Sequence, residues 1–137
     1  MEFAIVDIET TGGYAGKSRI TEVAIIHHNG YEITHEYKTL INPLTHIPSF
    51  ITNLTGINDR MVENAPIFSE VAEDILVLLK DRVFVAHHVN FDFNILKHEF
   101  ANCNITFSSK KLCSARLARQ LAPGLASYSL GKICQHF

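Results

Sequence analysis

The N-terminal third of the chain alternates apolar and polar positions with the period of β-strands. The segments "FAIVDI" (residues 3–8) and "RITEVAIIHH" (residues 19–28) are rich in β-branched residues, and "YEITHEYKTLI" (residues 31–41) alternates in its first half. Asn29 and Gly30 join the last two segments, and this pair is a strong hairpin signal because both residues tolerate positive φ. The pattern therefore predicts three strands, of which the second and third are antiparallel.

The remaining chain alternates helical patterns with one short apolar run. A short helix is predicted in "SFITNLTGI", closed by Gly56, and a helical turn in "NDRMVENAP", ending before Pro66. The segment "FSEVAEDILVLLK" has amphipathic spacing, with Ser69 as the predicted N-cap. A buried strand, "RVFVAH", precedes helical patterns in "FDFNILKHEFANC", "CSARLARQLAP" and "SYSLGKICQHF", the last with Ser127 or Ser129 as its cap. This order predicts a mixed α/β layer fold.

Composition narrows the class of protein. The length of 137 residues predicts one domain, residues 1–137, and the hydrophobic share of 47% and charged share of 19% are ordinary for a globular protein. No apolar run is long enough to span a membrane and no N-terminal targeting pattern is visible, so we expect a cytoplasmic protein. The three cysteines form no CxxC pair and indicate neither a zinc site nor a disulfide framework.

Charge is distributed unevenly along the chain. Residues 1–96 carry 6 Lys or Arg and 13 Asp or Glu, whereas residues 97–137 carry 6 basic residues and a single acid, Glu99. A polyanion could follow the basic C-terminal part, around Lys110, Lys111, Arg116 and Arg119. It would be repelled by the acidic part unless cations intervened.

The first glycine-rich stretch, "GGYAGKS", partly matches a phosphate-binding loop. The ending Gly16-Lys17-Ser18 fits G-x-x-x-x-G-K-[ST], but the position that requires the first glycine holds Thr11. Such a loop must also begin a helix, whereas "RITEVAIIHH" is typical of a strand. We therefore interpret these glycines as part of a turn between two strands.

Acidic side chains form the stronger candidate site. Asp7 and Glu9 lie two residues apart on a strand and so leave the same face of the sheet. Asp92 follows the short apolar strand at the start of a helix, where α/β sheets build their sites. A divalent cation would relieve the repulsion between such carboxylates, whose oxygens are ligands that Mg²⁺ and Mn²⁺ prefer. His87 is expected to line this site, and no role is predicted for His88.

Four segments, "VDIETTG", "LTGINDRMVENAP", "VAHHVNFDFNIL" and "SARLARQLAPGLASYSLGKIC", occur in this order. Together they resemble the DEDD-type 3′→5′ exonucleases, in the DnaQ-like branch that contains proofreading subunits of bacterial DNA polymerase III. The resemblance implies an RNase H-like fold, a mixed five-stranded sheet with flanking helices. It also implies metal-dependent hydrolysis of phosphodiester bonds, with two Mg²⁺ or Mn²⁺ ions as cofactors.

The resemblance assigns roles residue by residue. It makes Asp7, Glu9 and Asp92 catalytic metal ligands, and it implies that the stretch Thr10, Thr11 and Gly12 cradles the terminal nucleotide. Ile57 would touch the terminal base. Phe91 would be either another nucleotide contact or a core residue.

The C-terminus departs from the family pattern. Relatives continue to a helix with H-x-x-x-x-D, which supplies the general base and a fourth acid, whereas this sequence ends at Phe137. We expect the sequence to be C-terminally incomplete, with that helix missing, and weak or inactive by itself.

The sequence favours one class of substrate and partner but leaves alternatives. The expected substrate is a single-stranded 3′ end, DNA in preference to RNA, with a DNA polymerase as a possible partner and no membrane contact. An RNA exonuclease, or a non-catalytic module that binds nucleic acid or a polymerase on the same fold, is the alternative.

Overall fold

A mixed five-stranded sheet lies at the centre of the computed structural model, which describes residues 1–137. Its strands are β1 (Phe3–Thr10), β2 (Ile20–His28), β3 (Ile33–Leu40), β4 (Val83–Ala86) and β5 (Lys111–Cys113). The spatial order is β3-β2-β1-β4-β5; β1 and β3 are antiparallel to β2, whereas β1, β4 and β5 run parallel. The sheet expected from the family resemblance is thereby confirmed.

Six helices flank this sheet. They are α1 (Ser49–Thr55), α2 (Asp59–Val62), α3 (Phe68–Leu79), α4 (Asn90–Asn102), α5 (Ser114–Leu121) and α6 (Leu130–His136). The helix α4 follows β4 directly, so its first turn lies at the carboxyl end of the parallel strands. None of the six is both long and apolar enough to cross a membrane.

The alternation of β1 determines which face of the sheet carries chemistry. Ala4, Val6 and Ile8 are buried on one face, which packs against the helices α3 and α4. The intervening side chains, Asp7 and Glu9 among them, leave the other face because successive residues of a strand point in opposite directions. Burial of one face thus places both carboxylates on the opposite face.

The main core has nineteen buried residues, and several of them are phenylalanines whose rings pack against one another. Phe93 from α4 packs edge-on against Phe84 of β4, with ring centroids 5.4 Å apart, and Phe100 lies 5.1 Å from Phe107. Such arrangements stabilise beyond simple burial by about 0.5–1.5 kcal/mol a pair. The helix α4 is consequently fixed against the sheet along its length.

Two local features differ from the sequence-based expectations. The helix α3 begins two residues earlier, so its N-cap is Ile67 rather than Ser69, and the Ile67 N–H donates to the Glu70 carboxylate at 2.8 Å. The strand β5 spans only three residues and was not predicted from the residue pattern, because so short a run shows no periodicity. At α6, Ser129 is the N-cap, one of the two alternatives.

Candidate active site

The candidate site lies where β1 passes the end of β4. The pairing of β1 with β4 covers only Phe3–Ile5 and Val83–Val85, whereas β1 continues to Thr10. Backbone groups of β1 beyond Ile5 on the β4 side therefore need partners other than the ladder. The first turn of α4 occupies this place.

Asp92 joins α4 to β1 at this point. Its Oδ1 accepts a hydrogen bond from the backbone N–H of Ile8 at 3.2 Å, and the side chain is buried, with 4% of the residue exposed. Ile8 lies between Asp7 and Glu9, so the bond brings the helix carboxylate beside the strand carboxylates. The three predicted acids, separated by up to 85 positions in sequence, thus meet at one end of β1.

A fourth acid shares the face that carries Asp7 and Glu9. Glu22 of β2 is the direct register partner of Glu9, and its carboxylate lies 3.5 Å from the ammonium of Lys38. Partial burial, followed by the charge of Glu22, raises the pKa of Asp7, while Lys38 opposes the rise. Burial also raises the pKa of Glu9, with further increases from Asp7 and Glu22.

Asp92 has the strongest shift in the site. Burial raises its pKa to about 7, and the nearby charge of Asp7 adds to this, whereas the hydrogen bond from Ile8 acts in the opposite direction. Desolvation disfavours a carboxylate that has no cation beside it. At neutral pH Asp92 is therefore close to its titration midpoint in the metal-free protein.

The carboxylates lack a basic partner. The ion pairs of the structure involve Arg19 with Glu99, Lys38 with Glu22 and His46 with Asp59, so none includes the three predicted acids. A divalent cation would supply the missing positive charge, and carboxylate oxygens suit Mg²⁺ and Mn²⁺. The side chains do not form a closed set of three or more ligands around one point. Water and substrate oxygens would have to complete the coordination, as is usual for Mg²⁺.

The glycine-rich stretch closes a turn between β1 and β2. Thr11 and Arg19 pair across it: the Thr11 N–H donates to the Arg19 carbonyl at 2.9 Å, and the Thr11 hydroxyl accepts from the Arg19 N–H at 3.0 Å. A Cβ on Gly12 would lie 3.0 Å from the Ser18 hydroxyl oxygen, so glycine permits this close approach. The strand β2 follows at Ile20, and no helix begins here, which confirms the interpretation as a turn.

A partly buried ion pair attaches this turn to the helix that carries Asp92. The Arg19 guanidinium donates from Nε to Glu99 Oε1 at 2.8 Å and from one terminal nitrogen to Oε2 at 3.3 Å. Glu99 belongs to α4 and is 1% exposed. The turn at Thr10–Gly12 and the helix that carries Asp92 are consequently connected through Arg19.

The residues predicted to contact the nucleotide differ in how exposed their side chains are. Phe91 is exposed, and it directly precedes Asp92 in α4, so a core role is excluded. The Thr10 hydroxyl donates to the Gly12 carbonyl and the Thr11 hydroxyl is used within the turn, so both hydroxyls predicted to bind the nucleotide have internal partners. Ile57 is buried in a second small core, with 4% of the residue exposed, and its contact with the terminal base stays a prediction.

His87, which is expected to line the site, is partly buried at the end of β4. Its Nδ1 is 3.0 Å from the Ser114 hydroxyl, its Nε2 is buried without a hydrogen-bond partner, and its ring stacks edge-on against His88 at 4.6 Å. Burial, followed by the charge of His88, lowers the pKa of His87, so its ring is neutral at pH 7. His87 thus joins the end of β4 to the start of α5.

Sequence reasoning missed Glu22 and the Arg19–Glu99 pair. The side of the sheet on which Glu22 lies could have been predicted from the sequence. Glu22, Ala24 and Ile26 are alternate residues of a strand already predicted, so their side chains share one face. The ion pair had no such signal, since its members lie 80 positions apart and each resembles an ordinary surface charge.

Comparisons with known proteins bear on this site. The exonuclease family model (RNase_T) matches residues 4–137. The 3′-5′ exonuclease DinG of Staphylococcus haemolyticus is 42% identical over 134 residues, which is 97% of this chain and 15% of that protein. The protein of the same name from Staphylococcus aureus is 37% identical over the same share. The chain thus spans about 15% of the length of these relatives.

Solved structures agree with the fold. Exonuclease X in complex with 5′ overhanging duplex DNA superposes with a TM-score of 0.80 at 24% identity, covering 98% of this chain and 72% of that one. The product-bound structure of exonuclease I gives 0.85 at 16% identity, covering 98% and 37%. The match over nearly the whole sequence, on a sheet that brings the predicted acids together, places this chain in the RNase_T exonuclease family of the DEDD superfamily.

Proposed function

We propose that residues 1–137 form the nuclease domain of a metal-dependent 3′→5′ exonuclease that hydrolyses phosphodiester bonds at single-stranded DNA 3′ ends. The observation that carries the proposal is the hydrogen bond from the Ile8 N–H to Asp92, because it gathers three carboxylates without a basic partner. Membership of the exonuclease family supports the same reaction class.

In this proposal Asp7, Glu9 and Asp92 hold two divalent ions, Mg²⁺ or Mn²⁺. When bound, such ions supply an activated water and stabilise the leaving oxygen. The chain's own contribution is a rigid acidic surface, since β1 is anchored in the sheet and α4 in the aromatic core. Its carboxylates must be ionised to bind a cation, so at pH 7 Asp92, with its pKa of about 7, releases on average about half a proton per molecule on metal binding.

Two elements beside the acids would position the substrate. The backbone of the turn at Thr11 and Gly12 offers polar groups for the terminal nucleotide, and Phe91 offers a ring on which a base can stack without sequence preference. Stacking favours a strand whose bases are unpaired, which is the reason for proposing a single-stranded end. The DNA complex of a structural neighbour supports DNA as the substrate.

The experiment that tests the metal site is a calorimetric Mn²⁺ titration of the protein and of single Asp→Asn variants. Asp7→Asn and Asp92→Asn should each weaken Mn²⁺ binding by at least about tenfold, because each removes a charged ligand. Asp74→Asn, on the exposed surface of α3, is the matched control and should bind like the unmodified protein. Equal affinity in all four proteins would remove the basis of the proposal.

A further inference from the structure

A cavity of about 770 Å³ adjoins the carboxylates but contains none of them. It lies between the first turn of α4, the strand β5 and one face of α5, and we call it the α4–α5 cavity. Its volume falls within the range of about 300–1,000 Å³ that is typical of small-molecule sites. It is therefore large enough for a nucleotide.

Every charged side chain that lines the α4–α5 cavity is basic. Lys111 and Arg116 belong to the lining, and no Asp or Glu does. Arg116 is exposed and has no carboxylate within ion-pair distance. The neighbouring end of β1 is strongly acidic. The cavity therefore supplies positive charge to the part of a polyanion that extends beyond the acidic site.

The ammonium of Lys111 is held in place at the cavity. It donates to the side-chain oxygen of Asn90 at 2.9 Å and lies 4.6 Å from the centroid of the Phe93 ring. Neither partner is anionic, so the positive charge is positioned without being neutralised. A fixed, unneutralised ammonium is suited to a phosphate group.

Apolar surface in the same cavity suits a base. Phe91 is 40% exposed and Leu117 is 37% exposed, and both belong to the lining. Base–aromatic stacking contributes about 1–3 kcal/mol per base and tolerates any sequence. Phe91 is also the residue before Asp92, so a base stacked on it lies next to the proposed cleavage site.

We propose that the α4–α5 cavity binds a nucleotide of the single-stranded DNA substrate upstream of the cleaved bond, with its phosphate on Arg116 and Lys111 and its base on Phe91 and Leu117. This inference rests on the proposed exonuclease function, which it extends by the path of the strand. The strand runs from the carboxylates over Phe91 toward α5. Lys111 and Arg116 belong to the part of the chain after residue 96, in which basic residues outnumber acidic ones.

A cysteine in the lining provides a direct probe of occupancy. Cys113 lines the cavity, whereas Cys134 is exposed on α6 and outside it. Burial alone would raise the pKa of the Cys113 thiol, but surrounding backbone N–H groups lower it by more, which favours reaction with iodoacetamide. Mass spectrometry measures the rate of modification of each thiol, so that Cys113 in the cavity and Cys134 on the surface are compared within one molecule.

The test measures these rates in EDTA, where no strand is cut, with an eight-residue oligothymidylate, with thymidine monophosphate, or with neither. The oligonucleotide should slow modification of Cys113 by about tenfold and that of Cys134 by less than about twofold, because a bound chain covers only the first. Thymidine monophosphate at equal nucleotide concentration should protect Cys113 less than the oligonucleotide does, because a single nucleotide lacks the additional contacts of a chain that also reaches the carboxylates. An unchanged rate at Cys113 with saturating oligonucleotide would overturn the inference.

Charge variants give a second readout. Arg116→Gln should weaken oligonucleotide binding by about threefold to tenfold and reduce the salt dependence of log K by about one, as expected for one lost phosphate contact. Arg60→Gln, on the exposed helix α2, removes the same charge elsewhere and should change neither quantity. If both variants behave alike, the cavity does not bind the strand.

Failure of the inference and failure of the proposed function give different results. Metal-dependent release of 3′ nucleotides without protection of Cys113 would leave the exonuclease and exclude this path. Protection of Cys113 together with no metal-dependent cleavage would support the cavity as a nucleic-acid site on a non-catalytic module.

Discussion

The carboxylate of Asp92 accepts a hydrogen bond from the backbone N–H of Ile8, the residue between Asp7 and Glu9 in β1. A helix carboxylate therefore satisfies a strand N–H that β4 is too short to reach. The same contact buries a negative charge beside two others. Structural and chemical roles thus coincide in one side chain, and they can be separated by experiment.

Asp92→Asn should stabilise the metal-free protein at high pH. The folded-state pKa of Asp92, about 7, lies above its ordinary value of 3.8, so the folded protein binds this proton more tightly than the unfolded chain does. The resulting stability is complete below about pH 4 and is lost as pH rises through about 7. Asparagine keeps an acceptor for the Ile8 N–H and cannot ionise. In urea with EDTA at pH 8, the variant should be more stable by on the order of 2–4 kcal/mol.

The comparison at pH 5 controls for a general effect of the substitution. At pH 5 the folded protein holds the Asp92 proton but the unfolded chain has mostly lost it, so the advantage of Asp92→Asn should fall to less than about half of its value at pH 8. Asp74→Asn, on the exposed side of α3, should show no pH-dependent gain. A variant at position 92 that is no more stable than the unmodified protein at pH 8 would contradict the raised pKa.

Removal of Arg19 should cost more stability than removal of a surface arginine. Arg19→Ala leaves Glu99, which is 1% exposed, as a buried carboxylate without its partner, and such changes cost about 3–5 kcal/mol. Arg60→Ala, on the exposed surface of α2, should stay within about 0.5 kcal/mol. Urea denaturation at pH 7 measures both. Equal effects would show that the ion pair does not anchor the turn.

Much of this architecture could be predicted from the sequence, and the exceptions have physical reasons. The β-branched alternation of β1 and β2 is a local signal, so the strands and the shared face of Asp7 and Glu9 followed directly. The three residues of β5 are too few to show a period, and they become a strand only because β4 pairs with them. The burial of Ile57 and the pairing of Arg19 with Glu99 depend on packing between distant segments, which no local pattern reports.

Removing a charge from β2 and removing a charge from β3 should have opposite effects on the pKa values of Asp7 and Glu9. Glu22→Gln removes a negative neighbour and should lower both pKa values, whereas Lys38→Met removes the opposing cation and should raise both. Carboxyl chemical shifts followed against pH in the metal-free protein measure this. Glu32→Gln, in the exposed hairpin turn, is the control. Shifts of the same sign in the first two variants would refute the proposed electrostatics.

Lys17→Ala should leave nucleotide binding and DNA cleavage essentially unchanged. Lys17 is exposed in a turn that the bonds between Thr11 and Arg19 close and that leads into β2. A phosphate-binding lysine requires a loop that leads into a helix. Equilibrium binding of ATP, compared before and after the substitution, is the measurement. Tight ATP binding that the substitution abolishes would restore the phosphate-loop interpretation.

The most direct test of the central claim is the release of nucleotides from 5′-labelled single-stranded DNA by this protein, with matched RNA beside it. In Mg²⁺ or Mn²⁺ we expect stepwise shortening from the 3′ end, faster on DNA than on RNA. EDTA should abolish it, and Asp7→Ala should reduce it by at least about a hundredfold, since the metal site loses a ligand. Shortening that persists both in EDTA and in Asp7→Ala would contradict the account.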